Sequence, residues 1–198
     1  VSLATHTAIF TSGASESNCF IIRACVEAVR KKLREKNSHV VPHVVLSSME
    51  HNASMSCVKD LVDSGYIEAT FVKPTVYGNI LSKDVESAIR SNTCLVSIIH
   101  ANNEVPVINN IAEISKVVHA NNIPLHTDPV QLFGKYRIDM KKNDIDVLSA
   151  SAHKLYGPKG IGLLVVKNEL IEGYGLKAEI NGSQQHGLRG GTENVPAV

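Results

Sequence analysis

The sequence carries no excess charge of either sign, with 20 Lys and Arg against 19 Asp and Glu over 198 residues. That balance removes the basic field that would argue for a nucleic acid or an anionic membrane as partner. Long hydrophobic runs are missing as well. The longest apolar stretches are strand-length, well short of the roughly 20 residues of a membrane-spanning helix, and no basic-then-apolar signal segment opens the chain. The four cysteines (Cys19, Cys25, Cys57 and Cys94) include no C-x-x-C pair, so reduced thiols in a cytoplasmic compartment are expected. Neither a Walker loop nor a G-x-G-x-x-G fingerprint is present, and nothing singles out a nucleotide. No internal repeat, low-complexity tract or linker divides the chain, and its length fits one domain.

Apolar residues make up 43% of the sequence and charged residues 20%, enough for a substantial core. Strand-like runs at 7–11, 44–48, 69–72, 94–101, 123–128, 145–151 and 160–166 are mostly apolar without alternation, as in strands buried on both faces. Between them, Ile22, Val26, Val29 and Leu33 give residues 16–36 a helical period, and Ile111, Ile114 and Val118 do so for 110–121. Asn110 with Glu113 reads as a capping box, and Ser82 as the cap of a shorter helix carrying Val85 and Ile89. Strand–helix–strand alternation predicts an α/β fold with a mainly parallel sheet flanked by helices. The chain begins with Val1 rather than Met, and the expectation is that it is part of a longer protein.

In such sheets ligands sit beyond the carboxyl ends of the strands. After the first strand, "TSGASESN" (11–18) opens a helix; it is either a Ser-rich cap or an anion cradle of small residues, free N–H groups and hydroxyls. His51, in "MEHNAS" (49–54), either caps the next helix or faces a site. "HANNE" (100–104) holds two asparagines that shape a turn or bond a ligand, and "HTDPVQ" (126–131) holds Asp128 and Gln131. Asp128 reads as a cap with Pro129 at the first helical position, as a fixed charge aimed at a ligand, or as both. In "SAHKLYGPKG" (151–160), Lys154 is either a turn lysine or an amine made reactive by its place at a strand mouth beside His153. Lys159, between Pro158 and Gly160, reads as an ordinary turn lysine.

Taken together, one sheet edge offers an anion cradle, an imidazole, an amide, a carboxylate and a lysine. Pyridoxal 5'-phosphate asks for that inventory: a cradle for its phosphate, a stacking partner for its ring, a carboxylate for its pyridinium nitrogen and a lysine for its aldehyde.

The order and spacing of "SGASESN", "EH" (50–51), "HANNE", "HTDPVQ", "SAHKLYGPKGIG" and "HGLRGGTENVP" resemble the NifS/IscS-type cysteine desulfurases and selenocysteine lyases over essentially the whole chain. The resemblance implies the large cofactor-binding domain, across residues 1–198, of a fold-type I (aspartate aminotransferase-like) enzyme. It implies that Lys154 carries the cofactor as a Schiff base and later moves protons, and that His51 stacks on the ring and serves in acid–base steps. Asp128 would pair with the ring nitrogen, Gln131 bond the phenolic oxygen, and Asn103 contact cofactor or substrate. Ser15, Ser151 and His153, with the backbone N–H groups of Ala14 and Ser15, would hold the phosphate. Thr192 would reach the phosphate of a partner subunit in a homodimer.

The implied reaction removes sulfur from L-cysteine, leaving L-alanine and an enzyme persulfide for transfer to an acceptor such as an iron–sulfur scaffold protein. The alternatives are a selenocysteine lyase and a non-catalytic scaffold that keeps the cofactor or the dimer. The scaffold reading arises because the family's N-terminal segment and its C-terminal small domain, with the sulfur-accepting cysteine, have no counterpart here. Alone, the 198 residues are expected to be inactive, and all four cysteines to be structural. Departures from the family pattern are Ser15 in place of Thr, Pro129-Val130 after the aspartate, Pro106 in place of Gly, and Asn181 and Ser183 in a usually glycine-rich run.

Overall fold

The computed structural model describes residues 4–198. Seven strands form one sheet in the order β1-β7-β6-β5-β4-β2-β3: β1 (His6–Thr11), β2 (His43–Ser47), β3 (Glu68–Val72), β4 (Thr93–Ile99), β5 (Leu125–Asp128), β6 (Val147–Ser151) and β7 (Gly162–Lys167). β2 to β6 run parallel, whereas β7 pairs antiparallel with both β6 and β1. The mainly parallel α/β sheet expected from the alternation is present. Each strand-like run holds a strand, with ends shifted by one or two residues.

The unbroken apolar runs follow from burial on two faces. Val44 and Leu46 of β2, Leu95 of β4, and Leu164 and Val166 of β7 enter one core with α1 (Ala14–Glu35) and α2 (Asn52–Asp63). Val45, Val96, Ile98, Leu148 and Val165 enter a second core, against α3 (Ser82–Ala88) and α4 (Ile111–Ala120). Successive side chains point to opposite faces, so a strand covered on both sides needs apolar residues at every position.

Helix ends depart from the expectations in instructive ways. Asn110 does cap α4, its side chain accepting from Glu113 N at 3.3 Å. Ser82 is instead the first residue inside α3, and Leu81 occupies the cap position without a side-chain bond. No helix follows Asp128: Leu132 N and Phe133 N both donate to Pro129 O, closing a turn. A fifth helix, α5 (Asn168–Tyr174), was not evident from the sequence, because its apolar face contributes a single buried residue, Leu170.

Candidate active site

The carboxyl ends of β1, β2, β4, β5 and β6 open on one side of the sheet, together with the start of β7, and a cavity of about 480 Å³ lies there. Nine side chains singled out in the sequence line it: Ala14, Ser15, His51, Asn103, Asp128, Gln131, Ser151, His153 and Lys154. They arrive from five separate strand ends. Thr192 does not line the cavity; it is exposed, three residues beyond Arg189. Lys159, read as a plain turn lysine, also lines it.

On one side stands the amino end of α1. Gly13 occupies the cap position and offers no side chain, and the first intrahelical bond runs from Ser17 N to Gly13 O. The N–H groups of Ala14, Ser15 and Glu16 therefore precede the helical ladder and stand where a helix favours an anion. Glu16 would oppose an anion, but its carboxylate is occupied. Ser12 N donates to Oε2 at 2.7 Å, and Arg189 donates to both oxygens at 2.9 and 3.3 Å. Burial pushes the Glu16 pKa upward, yet these bonds outweigh it and hold the carboxyl below its ordinary range. β7 passes close under this loop because residue 162 is glycine; a Cβ there would strike the Gly13 backbone.

Asp128, 5% exposed, lies at the end of β5. Its Oδ2 accepts from Asn18 Nδ2 at 2.7 Å and its Oδ1 from Val130 N at 3.0 Å. Burial raises its pKa, while those two bonds and nearby His51 pull the other way. Behind it, Glu50 is buried, with Oε1 accepting from Ser47 Oγ and Ile99 N, both at 2.6 Å, and Oε2 unpaired. Burial, with the charge of Asp128 adding to it, lifts Glu50 to about 8. Beneath the site, His126 shares hydrogen bonds with Ser97 Oγ at 2.8 Å and Ser149 Oγ at 3.0 Å, tying β4, β5 and β6 together. Burial holds this imidazole neutral, down to about 3.

His51 resolves the choice between cap and site as both. Its Nδ1 accepts from Ala53 N at 3.1 Å, capping α2, while the ring remains exposed on the cavity wall. That bond leaves the ring proton on Nε2. The asparagine pair divides: Asn102 Oδ1 accepts from the N–H groups of Glu104 and Val105 and shapes the turn, and Asn103 lines the cavity. Ser151 Oγ shares a hydrogen bond with His153 Nδ1 at 2.8 Å. Lys154 sits on a 3-10 turn (Ala152–Leu155) directly after β6 and is half-buried rather than sunk in the strand mouth. Tyr156, with φ 63°, reverses the chain into the solvent-facing turn that leads to β7.

Asn18, Glu50 and His126 were not identified as parts of the site in advance. Asn18 meets Asp128 110 residues away, His126 meets Ser97 and Ser149 29 and 23 residues away, and Glu50, besides nearby Ser47, meets Ile99 49 residues away, distances that no local pattern spans. For Asn18 and His126 the local hint was a polar residue on the buried face of a helix or strand; Glu50 lies in the turn between β2 and α2.

This donor set fits pyridoxal 5'-phosphate on structural grounds. Free helix N–H groups and hydroxyls answer a phosphate, a buried carboxylate answers a ring nitrogen, and an amine stands across the same cavity. The class V aminotransferase family matches residues 3–198. The cysteine desulfurase IscS of Buchnera aphidicola subsp. Baizongia pistaciae is 40% identical over 191 residues, covering 96% of this chain and 45% of that protein. The mitochondrial cysteine desulfurase of Saccharomyces cerevisiae is 38% identical over 197 residues, covering 96% and 36%. The chain thus spans less than half the length of these two relatives. Among solved structures, SspA in complex with cysteine superposes with a TM-score of 0.84 at 38% identity, covering 96% of this chain and 52% of that one. A NifS-like protein superposes with a TM-score of 0.85 at 31% identity, covering 96% and 49%. Enzymes of this family work with pyridoxal 5'-phosphate; the chain belongs to the class V aminotransferase family and is similar, over 96% of its length, to NifS- and IscS-like cysteine desulfurases.

Proposed function

We propose that this chain is the cofactor-binding domain of a cysteine desulfurase that takes sulfur from L-cysteine, leaving L-alanine and a protein-bound persulfide. The observation that carries the reading is the convergence of Lys154, Asp128, His51 and the α1 amino end on one cavity. When bound, the cofactor supplies an aldehyde that condenses with amines and a ring that accepts electrons from a breaking carbon–hydrogen bond.

Each residue's part follows from its surroundings. The N–H groups of Ala14 and Ser15, with the hydroxyls of Ser15 and Ser151 and the ring of His153, bind the phosphate at the positive end of α1. Asp128, fixed by Asn18 and Val130, keeps a proton on the ring nitrogen; both of its oxygens are held, so it cannot swing away. Gln131 and Asn103 bond the polar groups of the ring and the substrate. His51, held by its Nδ1 bond to Ala53 N, keeps its ring available for stacking and its Nε2 proton for exchange. Lys154 Nζ is the amine that would hold the cofactor through its aldehyde, and it is the base placed to take the substrate α-proton. Thr192 serves the phosphate site of a second copy in a homodimer.

The relatives bearing the cysteine desulfurase name include a mitochondrial one. The described residues contain no helix long and apolar enough to cross a membrane. We place the protein in the cytoplasm, where it would pass sulfur to an acceptor such as an iron–sulfur scaffold protein. The test is turnover of the intact protein with L-cysteine and with selenocysteine. With dithiothreitol present to reduce the persulfide, equimolar alanine and sulfide from L-cysteine, lost in Lys154→Ala, is the expected result. Turnover of selenocysteine alone would replace this reading with a lyase, and no turnover of either would leave a scaffold.

A further inference from the structure

Two pairs of cysteines bring α1 against its neighbours, and they differ in exposure. Cys25 and Cys94 are 0% and 2% exposed in the core. Burial pushes the Cys94 thiol up to about 12 and Cys25 well above its usual value, so both are unionised and out of reach. Cys19 and Cys57 are placed differently. Cys19 lies in the second turn of α1 and is half-buried, while Cys57 lies on the face of α2 that packs against α1. Cys19 Sγ donates to Ala53 O at 3.7 Å, and Cys57 stands one helical turn after Ala53 on α2, packed in the same core between the two helices.

Proximity to Cys57, rather than the mixed charges around the pair, eases ionisation of Cys19. Arg23, one helical turn later, lies beside both sulfurs and is itself held by Asp60 at 3.5 Å and Glu179 at 3.4 Å. The contact with Cys57 lowers the Cys19 thiol to about 7, against the opposing effects of burial and Glu179 and with help from Arg23. The same contact raises Cys57, which keeps its proton. A half-buried thiol on α1 thus stands across the helix contact from a second thiol on α2 that is shielded from solvent, the arrangement of an attacking thiol with a resolving one.

We propose that Cys19 and Cys57 form a reversible dithiol–disulfide site that takes its oxidising equivalents from a small alkyl disulfide. The Cys19 thiolate attacks one sulfur of the small disulfide, forming a mixed disulfide and releasing one alkyl thiolate. Cys57 then attacks the Cys19 sulfur, losing its proton to the second departing thiolate. The sum is one alkyl disulfide reduced to two thiols and two cysteines oxidised to one cystine. The bond ties α1 to α2, the helices whose amino ends carry the Ala14–Ser15 cradle and His51. The site stands independently of the cofactor reading.

The experiment exposes the intact protein to glutathione disulfide under native conditions, blocks free thiols, and maps an unreduced tryptic digest by mass spectrometry. Cleavage after Arg23 separates Cys19 from Cys25, so each cysteine reports alone. The expected product has lost two hydrogens and joins the Cys19 and Cys57 peptides, with Cys25 and Cys94 blocked only after unfolding. In Cys57→Ser, one glutathione should remain on Cys19. Four reduced thiols in the wild type, a bond to Cys25 or Cys94, or glutathione on any residue but Cys19 in Cys57→Ser would each overturn the proposal.

Discussion

Replacing Glu50 by Gln isolates a buried proton. The carboxyl is fully enclosed, with Oε1 held by Ser47 and Ile99 and Oε2 unpaired. Gln has the shape of the protonated acid, keeps an acceptor for Ser47 and Ile99, and cannot ionise. Burial lifts Glu50 from 4.5 to about 8, so the folded chain binds a proton that the unfolded chain releases across that interval. Stability from this group is therefore greatest below pH 4.5 and falls as pH rises toward 8. At ~1.36 kcal/mol per pH unit the full interval is worth about 5 kcal/mol, of which about 3 kcal/mol falls between pH 5 and pH 8. His43, His100 and His126, buried and lowered to about 4, 4 and 3, act in the opposite direction below neutrality. Their contribution cancels in the difference between Glu50→Gln and wild type. Urea unfolding followed by circular dichroism at pH 5, 6, 7 and 8 gives that difference. The variant should gain on the wild type by about 3 kcal/mol across the series. A difference that does not change with pH would refute the protonated, desolvated Glu50.

Asp128→Asn turns an amide toward either Asn18 Nδ2 or Val130 N, pairing donor with donor. Unfolding should show a loss of about 1–3 kcal/mol, and turnover should fall further than cofactor affinity, measured by fluorescence titration. Adding Asn18→Asp should restore stability but not turnover. Gly162→Ala forces a Cβ against Gly13 and Thr11 Oγ1; it should lower the thermal midpoint, at a cost of about 1–3 kcal/mol, and weaken phosphate binding measured by calorimetry. His119 bonds Asp144 and Asp146, each at 2.6 Å; its hydrogen bond to Asp146 is the leading cause of a raised pKa. That stabilisation is complete below pH 6.5 and lost as pH climbs through the folded-state value. His119→Gln should therefore destabilise more at pH 6 than at pH 9 in the same urea assay.

The parallel sheet was legible because burial on two faces writes itself into consecutive residues, as in Val44-Val45-Leu46. The cavity wall was legible because each lining group follows a strand directly, and strand ends converge in such a fold. What escaped reading depends on contacts made across the sheet. Asn18 looks like any polar residue in a Ser-rich turn until β5 brings Asp128 to it, and His126 until Ser97 and Ser149 flank it. The expected helix after Asp128 is a turn: Asp128 Oδ1 does accept from Val130 N as a cap would, but Leu132 N and Phe133 N both donate to Pro129 O and no helix follows. The strand-mouth argument for Lys154 placed it too deep. β6 ends at Ser151, and the 3-10 turn lifts the lysine to the rim.

Borohydride reduction of the protein reconstituted with pyridoxal 5'-phosphate tests the central claim most directly. Reduction fixes any amine-linked cofactor as a stable pyridoxyl group, and peptide mass spectrometry then locates it. The predicted result is one pyridoxyl group, on Lys154, absent from Lys154→Ala. A label on Lys159, or equal labelling of wild type and variant, would contradict it.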